Sequence, residues 1–397
     1  MAQEPFEISD EGRYSRLQLI AWWDQRRLLQ SRVLVVGAGA LGNEVLKNLA
    51  LIGVGQIDIV DFDRIENSNL SRAVLFRESD AGHDKAEVAA RAVRDLNPEV
   101  RVDVCVGNVL TDVGLGRVRA ADVVIGCLDN REARLWVNRM CWKVNRPWID
   151  GGIQEINGVA KVFRPPHGPC YECGMNDTDY RLIQLRYSCP LLQQSDLQQG
   201  RVPTAPTIAS IIGGIQVQEA LKLLHGLPPS DATAIVFNGI SNQMYQTRYP
   251  IRPNCLSHET YDEIHTLPLT FEALVDELLQ RAIANGAAED AELVLDRDWV
   301  AALHCPQCAR TTPVGRTLTC VRVSDAACGQ CAQTMQPQMI HRVAAGSSWS
   351  GRTLRDLGVP DFDIVTIESS AGTRYYQLTP AAGDRSFRPA PGVTAKP

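Results

Sequence analysis

The cysteines are the residues of this chain whose spacing points most directly to chemistry. Among the 12 cysteines are three CxxC pairs, and CxxC is the spacing with which two thiolates bind one metal ion. The two later pairs are separated by 19 residues, which is a zinc-ribbon spacing. The sequence therefore predicts a structural Cys₄ zinc site formed by Cys305, Cys308, Cys328 and Cys331. His304 is a weaker alternative ligand.

The other cysteines differ in their surroundings. Three of them stand in apolar runs and are interpreted as small buried hydrophobic residues, namely Cys105, Cys127 and Cys141. Cys189 ends the arginine-containing segment RLIQLRYSC, and neighbouring cations lower the pKa of a thiol and favour a nucleophilic thiolate. Cys189 is therefore a candidate nucleophile, although its residue type also fits an incidental loop cysteine, and Cys320 is the main rival.

A glycine-rich turn precedes a helical pattern near the N-terminus. Residues 33–36 are a continuous apolar run of three valines and a leucine that fits a buried parallel strand, and residues 57–60 predict a second strand that ends at Asp61. Between them stands GAGALG, whose glycines are Gly37, Gly39 and Gly42. A strand–turn–helix–strand unit of this kind binds nucleotides, and its default ligand is NAD or FAD, with Asp61 on a ribose. A dehydrogenase is thus one alternative.

Further charged residues argue against that default. Two cations and an extra carboxylate exceed what a pyrophosphate on a helix N-terminus requires, and they suit a triphosphate attacked at its α-phosphorus. Taken singly, each fits a turn former, a surface charge or a helix cap. The set is Asp63, Asn69, Arg72, Lys85 and Asp129, and Asp129 is the candidate Mg²⁺ ligand.

The elements that must position these residues form an α/β pattern. Further strands are predicted at residues 100–106, 123–128 and 148–150, so the first half predicts an open, doubly wound sheet. Short strands and a long helix over residues 207–224 follow. We also expect residues 1–30 to be helical, an amphipathic helix over 270–282, and a short helix followed by a hairpin from residue 353 onward. We expect three parts: an α/β domain at residues 1–260, a small α+β region with the zinc ribbon at 261–378, and a disordered tail at 379–397.

Composition excludes several classes of protein. The net charge is −6, the hydrophobic fraction is 45% and the charged fraction is 22%, which are ordinary values for a globular chain. No apolar run approaches a membrane span, and the acidic, polar start is not a secretory signal. We therefore expect a cytoplasmic protein without disulfides, and mild acidity gives no reason to bind nucleic acid.

Several motifs together resemble the ubiquitin-activating enzyme superfamily, which includes the MoeB/ThiF adenylyltransferases. They are RYSR at Arg13–Arg16, GAGALG, DFDRIENSNLSR, the lysine after HD, and GCLDN, and the resemblance covers residues 10–258 in order. It implies a Rossmann-like adenylation domain in which Asp61 holds the ATP ribose, and the remaining roles follow by position. Nucleotide or phosphate contacts are implied for Gly37, Gly39, Gly42, Asp63, Asn69, Arg72 and Lys85, and a Mg²⁺ contact for Asp129.

The resemblance implies three further features. Arg16 would reach across a homodimer to the partner's ATP, and Cys189 would be the crossover-loop cysteine that accepts a thioester. Cys255 and His258 would complete a second zinc site with Cys170 and Cys173, the alternative being that Cys255 and His258 are incidental. One departure is Ala73, where the family usually has glutamine, which puts one polar contact in doubt.

The reaction implied by the resemblance is adenylation of the C-terminal glycine of a ubiquitin-like protein, then thioester formation and transfer to a conjugating enzyme. The chain is similar to single-chain activating enzymes of bacterial ubiquitination-like operons, which are associated with antiviral defence. The segment TLRDLGVPDFDIV…RYYQL weakly resembles a ubiquitin-fold module. Alternatives are a sulfur-carrier adenylyltransferase without a conjugation role and a non-enzymatic scaffold.

Overall fold

The computed structural model describes residues 12–188, 203–321 and 323–379, which form two β-sheets with their covering helices. No helix within these residues is long and apolar enough to cross a bilayer. The first part of the chain contains α1 (Gln25–Gln30), β1 (Arg32–Val36), α2 (Ala40–Ile52), β2 (Gln56–Val60), α3 (Lys85–Leu96), β3 (Arg101–Cys105), α4 (Leu115–Ala120), β4 (Val123–Gly126), α5 (Arg131–Lys143), β5 (Trp148–Gln154), β6 (Asn157–Phe163), α6 (Asp177–Ser188), α7 (Pro206–His225), β7 (Thr233–Asn238) and β8 (Gln243–Arg248).

The eight strands of this part make one sheet in the order β3-β2-β1-β4-β5-β6-β7-β8. The first five are parallel, as the predicted doubly wound pattern requires, and the last three continue antiparallel. Every residue of β1 is buried, because residues 33–36 are a continuous apolar run and Arg32 pairs with the buried Asp58. The strand order reverses between β1 and β4, so a crevice opens at the carboxyl ends of these two strands. The predicted α/β fold is confirmed.

The second sheet follows a connection that contains neither helix nor strand except a short 3₁₀ turn. Its strand order is β11-β10-β13-β14-β9, with β12 also paired to β10. The helix α8 packs against it, and the two share a core that includes Leu278, Leu293 and Tyr376. The elements are β9 (Ile264–Leu267), α8 (Val275–Ala284), β10 (Glu292–His304), β11 (Thr311–Thr317), β12 (Gln336–Ala344), β13 (Ile364–Ser369) and β14 (Gly372–Leu378).

Two predicted helices are corrected by the structure. Within residues 12–30, only the 3₁₀ turn Leu17–Leu19 and α1 are helical. The amphipathic helix begins at Val275 instead of residue 270, because the preceding backbone pairs with a distant segment. The carbonyl oxygens of Phe271 and Ala273 accept hydrogen bonds from Arg355 and Leu354, at 2.8 and 2.9 Å. The predicted tail falls outside the described residues from position 380 onward.

Candidate active site and metal clusters

A cleft of about 1130 Å³ opens at the carboxyl ends of β1, β2 and β4. Its walls bring together most of the residues that the sequence singled out for a nucleotide, although they come from five separate segments of the chain. They are Gly37, Gly39, Asp61, Asp63, Asn69, Arg72, Lys85 and Asp129, and Ala73 also faces the cleft.

The glycine turn lies between β1 and α2. Gly37 has φ +99°, a left-handed conformation that favours glycine. Gly42 is not part of the cleft wall, and its importance is steric. A Cβ on Gly42 would lie 2.0 Å from the carbonyl oxygen of Gly37, so only glycine lets α2 pack against the turn.

Asp61, at the end of β2, is tied to this turn. Its carboxylate accepts hydrogen bonds from the backbone N–H of Ala38 at 2.6 Å and of Asp63 at 2.8 Å. Burial raises the pKa of Asp61, while these two hydrogen bonds and the charge of Lys85 oppose the rise. The carboxylate is therefore held at the edge of the cleft in one fixed orientation, which suits a hydroxyl donor.

Lys85 begins α3, and its Nζ lies 2.7 Å from a carboxylate oxygen of Asp63. The lysine side chain is only 12% exposed, whereas that of Asp63 is 49% exposed. Arg72 donates to the carbonyl oxygen of Ser68 at 2.9 Å, and Asn69 accepts from the backbone N–H of Glu66 at 3.1 Å. Two cations thus reach the same side of the cleft.

Asp129 follows β4, and its exposed carboxylate accepts a hydrogen bond from the side chain of Asn130 at 3.1 Å. Asn130 in turn caps α5 by accepting from the backbone N–H of Ala133 at 2.8 Å. Helix capping thus falls to Asn130, which leaves the carboxylate of Asp129 facing the cleft. An exposed carboxylate in the wall of the cleft is an oxygen ligand of the kind that Mg²⁺ prefers.

Sequence reasoning missed a charged group in another wall of the cleft. Arg134 on α5 pairs with the buried Asp150 at 2.9 Å, and Lys161 on β6 stands opposite Asp150 in the strand register. The Nζ of Lys161 lies 5.4 Å from the ring centres of both Tyr171 and Tyr249. A lone lysine inside the apolar strand NGVAKVF was the available signal.

Arg16 and Cys189 have predicted roles that the geometry of the cleft does not test. Arg16 is exposed on the surface of its own chain, next to the 3₁₀ turn, so its predicted role in a partner's site stays a prediction. Cys189 lies outside the described residues, immediately after α6. Its predicted role as the nucleophile likewise stays a prediction.

The first metal cluster joins segments about 85 positions apart in the chain. The ligand atoms of Cys170, Cys173, Cys255 and His258 all lie within 4.8 Å of one another, and the ring of His258 stacks on Trp142 with centres 4.0 Å apart. The S···S separations of Cys170 from Cys173 and Cys255 are 3.7 and 3.5 Å. A tetrahedral zinc with Zn–S bonds of about 2.3 Å requires S···S edges of about 3.8 Å, so the group fits zinc.

The second cluster is the zinc-ribbon set, which the sequence spacing predicted. The S···S separations are 3.4 Å for Cys305–Cys331, 3.6 Å for Cys308–Cys328 and 3.8 Å for Cys308–Cys331. These distances also fit a tetrahedral zinc. His304 instead contacts the hydroxyl of Thr311 at 3.2 Å, and Cys320 is exposed and outside the cluster.

Comparison with known proteins assigns the family. The sequence model of the ThiF family matches residues 12–257, which is more than half of the chain. The chain belongs to the ThiF family. This confirms the predicted membership of the ubiquitin-activating and MoeB/ThiF superfamily, whose members among the relatives are named as an activating enzyme E1 and an adenylyltransferase.

Two curated relatives illustrate the range of this family. The SAMP-activating enzyme E1 of Haloferax volcanii is 34% identical over 58% of this chain and 81% of its own length. The adenylyltransferase and sulfurtransferase MOCS3 of Mus musculus is 34% identical over 62% of this chain. Only 52% of the length of MOCS3 is matched, so the chain spans about half of that relative.

A solved structure shows the same fold with a nucleotide. E. coli MccB, crystallised with ATP, has a TM-score of 0.52 and 28% identity over 64% of this chain and 76% of its own. A nucleotide on this fold agrees with the relatives that are named as adenylyltransferases.

Proposed function

We propose that this chain adenylates the C-terminal carboxylate of a ubiquitin-like protein with MgATP and then carries the acyl group as a thioester on Cys189. The observation that supports this best is the single cleft that holds Asp61, Lys85, Arg72 and Asp129 at the carboxyl ends of the parallel strands. The relative that is named as a SAMP-activating enzyme favours a small protein as the substrate.

In the first step, a carboxylate oxygen of the carrier protein attacks the α-phosphorus of ATP. A bond forms between that oxygen and the phosphorus, the bond to the bridging oxygen breaks, and pyrophosphate leaves. The amide groups at the N-terminus of α2 receive phosphate oxygens, and Lys85 and Arg72 neutralise the charge on pyrophosphate. Asp61 orients the ribose through its carboxylate.

The metal has a defined place in this proposal. Mg²⁺ held by Asp129 would neutralise phosphate charge and shape the triphosphate for in-line attack. The chain itself needs no nucleophile for this step, because positioning and charge neutralisation lower the barrier. In the second step, the thiolate of Cys189 attacks the acyl carbon, and AMP leaves as the thioester forms.

Carrier-dependent exchange of labelled pyrophosphate into ATP tests the first step. The carriers to test are ubiquitin-like proteins with a C-terminal glycine, beginning with any that a neighbouring gene encodes. We expect Asp129→Ala and Lys85→Ala to lower the exchange rate by about 100-fold or more, since each removes charge stabilisation of the transition state. The matched control is Lys222→Ala on α7, outside the cleft wall. Wild-type protein that exchanges no pyrophosphate with any such carrier would contradict the proposal.

The second candidate function is a sulfur-carrier adenylyltransferase, which the relative named adenylyltransferase and sulfurtransferase favours. A thiol-labile adduct with the carrier that survives electrophoresis and disappears in Cys189→Ser supports the thioester route. Exchange that persists in Cys189→Ser, with no adduct in the wild type, supports the second candidate. Cys320→Ser is the control, because Cys320 is the rival nucleophile.

The proposed partners follow from the proposed chemistry. A thioester on the enzyme requires an acceptor thiol, which a conjugating enzyme would supply, and a contribution from Arg16 requires a homodimer. Two structural zinc ions would complete the protein, and a cytoplasmic role in antiviral defence is the proposed setting. Neighbouring genes for a conjugating enzyme and a deubiquitinase-like metalloprotease would support this setting, and a thiamin or molybdopterin gene cluster would contradict it.

A further inference from the structure

A buried arginine of the second sheet reaches the domain that holds the nucleotide cleft. Arg297 on β10 has a side chain that is only 10% exposed. Its Nε donates to the carbonyl oxygen of Leu110 at 3.0 Å, and its Nη2 donates to the carbonyl oxygen of Val113 at 3.1 Å. Its Nη1 lies 2.8 Å from the carboxylate of Asp363, which is 7% exposed. The guanidinium thus links the second sheet to the segment between β3 and α4.

Asp363 and the backbone beside it complete the joint. The carboxylate of Asp363 accepts a hydrogen bond from the backbone N–H of Leu115 at 2.7 Å, and Leu115 begins α4. The next amide, of Gly116, donates to the carbonyl oxygen of Phe362 at 2.9 Å. The guanidinium of Arg297 also lies over the ring of Trp136, with 5.3 Å to the ring centre. Trp136 belongs to α5, the helix that starts directly after Asp129 and Asn130.

The segment that Arg297 holds is a wall of the cleft. Residues 107–110, which follow β3, line the cleft directly. The amide of Gly107 donates to the carbonyl oxygen of Asp61 at 3.3 Å. A turn then links Asn108 to Asp112, whose carboxylate accepts from the amide of Asn108 at 2.7 Å. Arg297 binds the carbonyl oxygen of Leu110 within this turn and that of Val113 directly after it, so the path from the second sheet to the ribose-side carboxylate is short.

We infer that Arg297 is a positioning residue for ATP, through which the second sheet fixes the ribose side of the nucleotide cleft. The inference rests on the proposed use of ATP, and Arg297 itself does not line the cleft. Loss of the guanidinium would leave the carbonyl oxygens of Leu110 and Val113 and the carboxylate of Asp363 without this donor in a buried place. The 107–113 segment would then relax, and ATP binding would have to order it again.

The test measures nucleotide affinity in the full-length protein by isothermal titration calorimetry. The probe is the magnesium complex of α,β-methylene ATP, which cannot transfer its adenylyl group, so no carrier is needed. We expect Arg297→Ala to raise the Kd about tenfold, equivalent to roughly 1.4 kcal/mol. Arg297→Lys keeps the positive charge but loses the planar guanidinium that donates to three acceptors, and we expect the Kd to rise about threefold. It also carries the test if Arg297→Ala does not fold.

The matched control is Arg342→Ala on β12. Arg342 pairs with Glu292 and Glu368 on the exposed surface of the second sheet, and none of the three residues is part of the cleft wall. We expect its Kd to stay within about twofold of wild type, because exposed ion pairs contribute little. In pyrophosphate exchange, Arg297→Ala should raise the KM for ATP while kcat at saturating ATP changes little, a split that a general loss of stability would not give.

Three results decide the inference. Faster hydrogen exchange of the 107–113 amides in Arg297→Ala, together with weaker probe binding, supports it. Folded Arg297→Ala or Arg297→Lys protein with wild-type affinity overturns it and leaves the proposed function intact. Wild-type protein that fails to bind the probe overturns the inference and the proposed function together.

Discussion

Lys161 is a half-buried cation in the wall of the cleft. Burial lowers the pKa of Lys161, with the carboxylates of Asp150 and Asp179 opposing the effect and the guanidinium groups of Arg134 and Arg131 adding to it. No carboxylate of the described residues lies within ion-pair distance of its Nζ, and its close neighbours are two tyrosine rings. An ammonium group in such a wall attracts an incoming carboxylate, which is the group that the proposed reaction delivers.

We expect Lys161→Met to raise the KM for the carrier protein about tenfold, since a charge-assisted hydrogen bond contributes roughly 1.5–3 kcal/mol. Because the pKa of Lys161 is lowered, its charge is lost at a lower pH than that of an ordinary lysine. The KM of the wild type should therefore rise as the pH approaches this pKa from below, and that rise should be absent in Lys161→Met. Steady-state exchange between neutral and alkaline pH measures both effects.

Lys161→Arg is the control for this prediction. It keeps a positive charge over the whole pH range, so its KM should stay close to the wild-type value and lack the alkaline rise. A KM in Lys161→Met that equals the wild-type value would show that the carrier carboxylate enters elsewhere.

At the scale of elements, the zinc-ribbon segment depends on its cysteines. The strands β10, β11 and β12 pair with one another, but the apolar cluster beneath them contains few residues besides the thiols. They are Val300, Leu303 and Met335, with Cys305 and Cys328. So small a core needs a metal crosslink to stay folded.

We expect Cys305→Ser to lower bound zinc from two ions to one per chain and to lower the melting temperature of the second sheet. Elemental analysis gives the zinc content, and hydrogen exchange reports which strands open. Cys320→Ser should retain both ions, because Cys320 is exposed and outside either cluster. Retention of two zinc ions by Cys305→Ser would contradict the assignment.

At the scale of the whole molecule, the predicted role of Arg16 concerns two chains. Arg16 lies on the surface outside its own cleft wall, which is compatible with the predicted insertion into a partner's site. In a dimer with two-fold symmetry, a residue that acts across the interface belongs to a different chain from the rest of the site that it completes. Heterodimers of two differently substituted chains can therefore reveal such a residue.

We expect the Arg16→Ala homodimer and the Asp129→Ala homodimer each to be inactive, and a heterodimer with one chain of each kind to be active. A heterodimer purified through two different tags should have about half of the wild-type exchange activity, because one of its two sites is complete. The control pairs Lys85→Ala with Asp129→Ala, which belong to the same cleft, and should stay inactive. An inactive Arg16→Ala/Asp129→Ala heterodimer would place Arg16 in the cleft of its own chain, and full activity of Arg16→Ala alone would place Arg16 outside both sites.

The sequence by itself determined what depends on neighbouring residues. The apolar run at residues 33–36, the glycines of GAGALG and the CxxC spacings are local, so they predicted the first strands, the tight turn between β1 and α2, and both halves of the ribbon. The resemblance to a family extended this to Cys255 and His258, which the structure brings beside Cys170 and Cys173.

Tertiary structure alone decided what depends on distant pairing. The start of α8 moved because residues near Phe271 bond to a segment more than 80 positions later, and no local pattern records that competition. Arg297 and Asp363 are ordinary charged residues in the sequence, 66 positions apart, and only the packing of the two sheets buries them together against the cleft wall. A buried charge must find partners, and which partners it finds is fixed by topology.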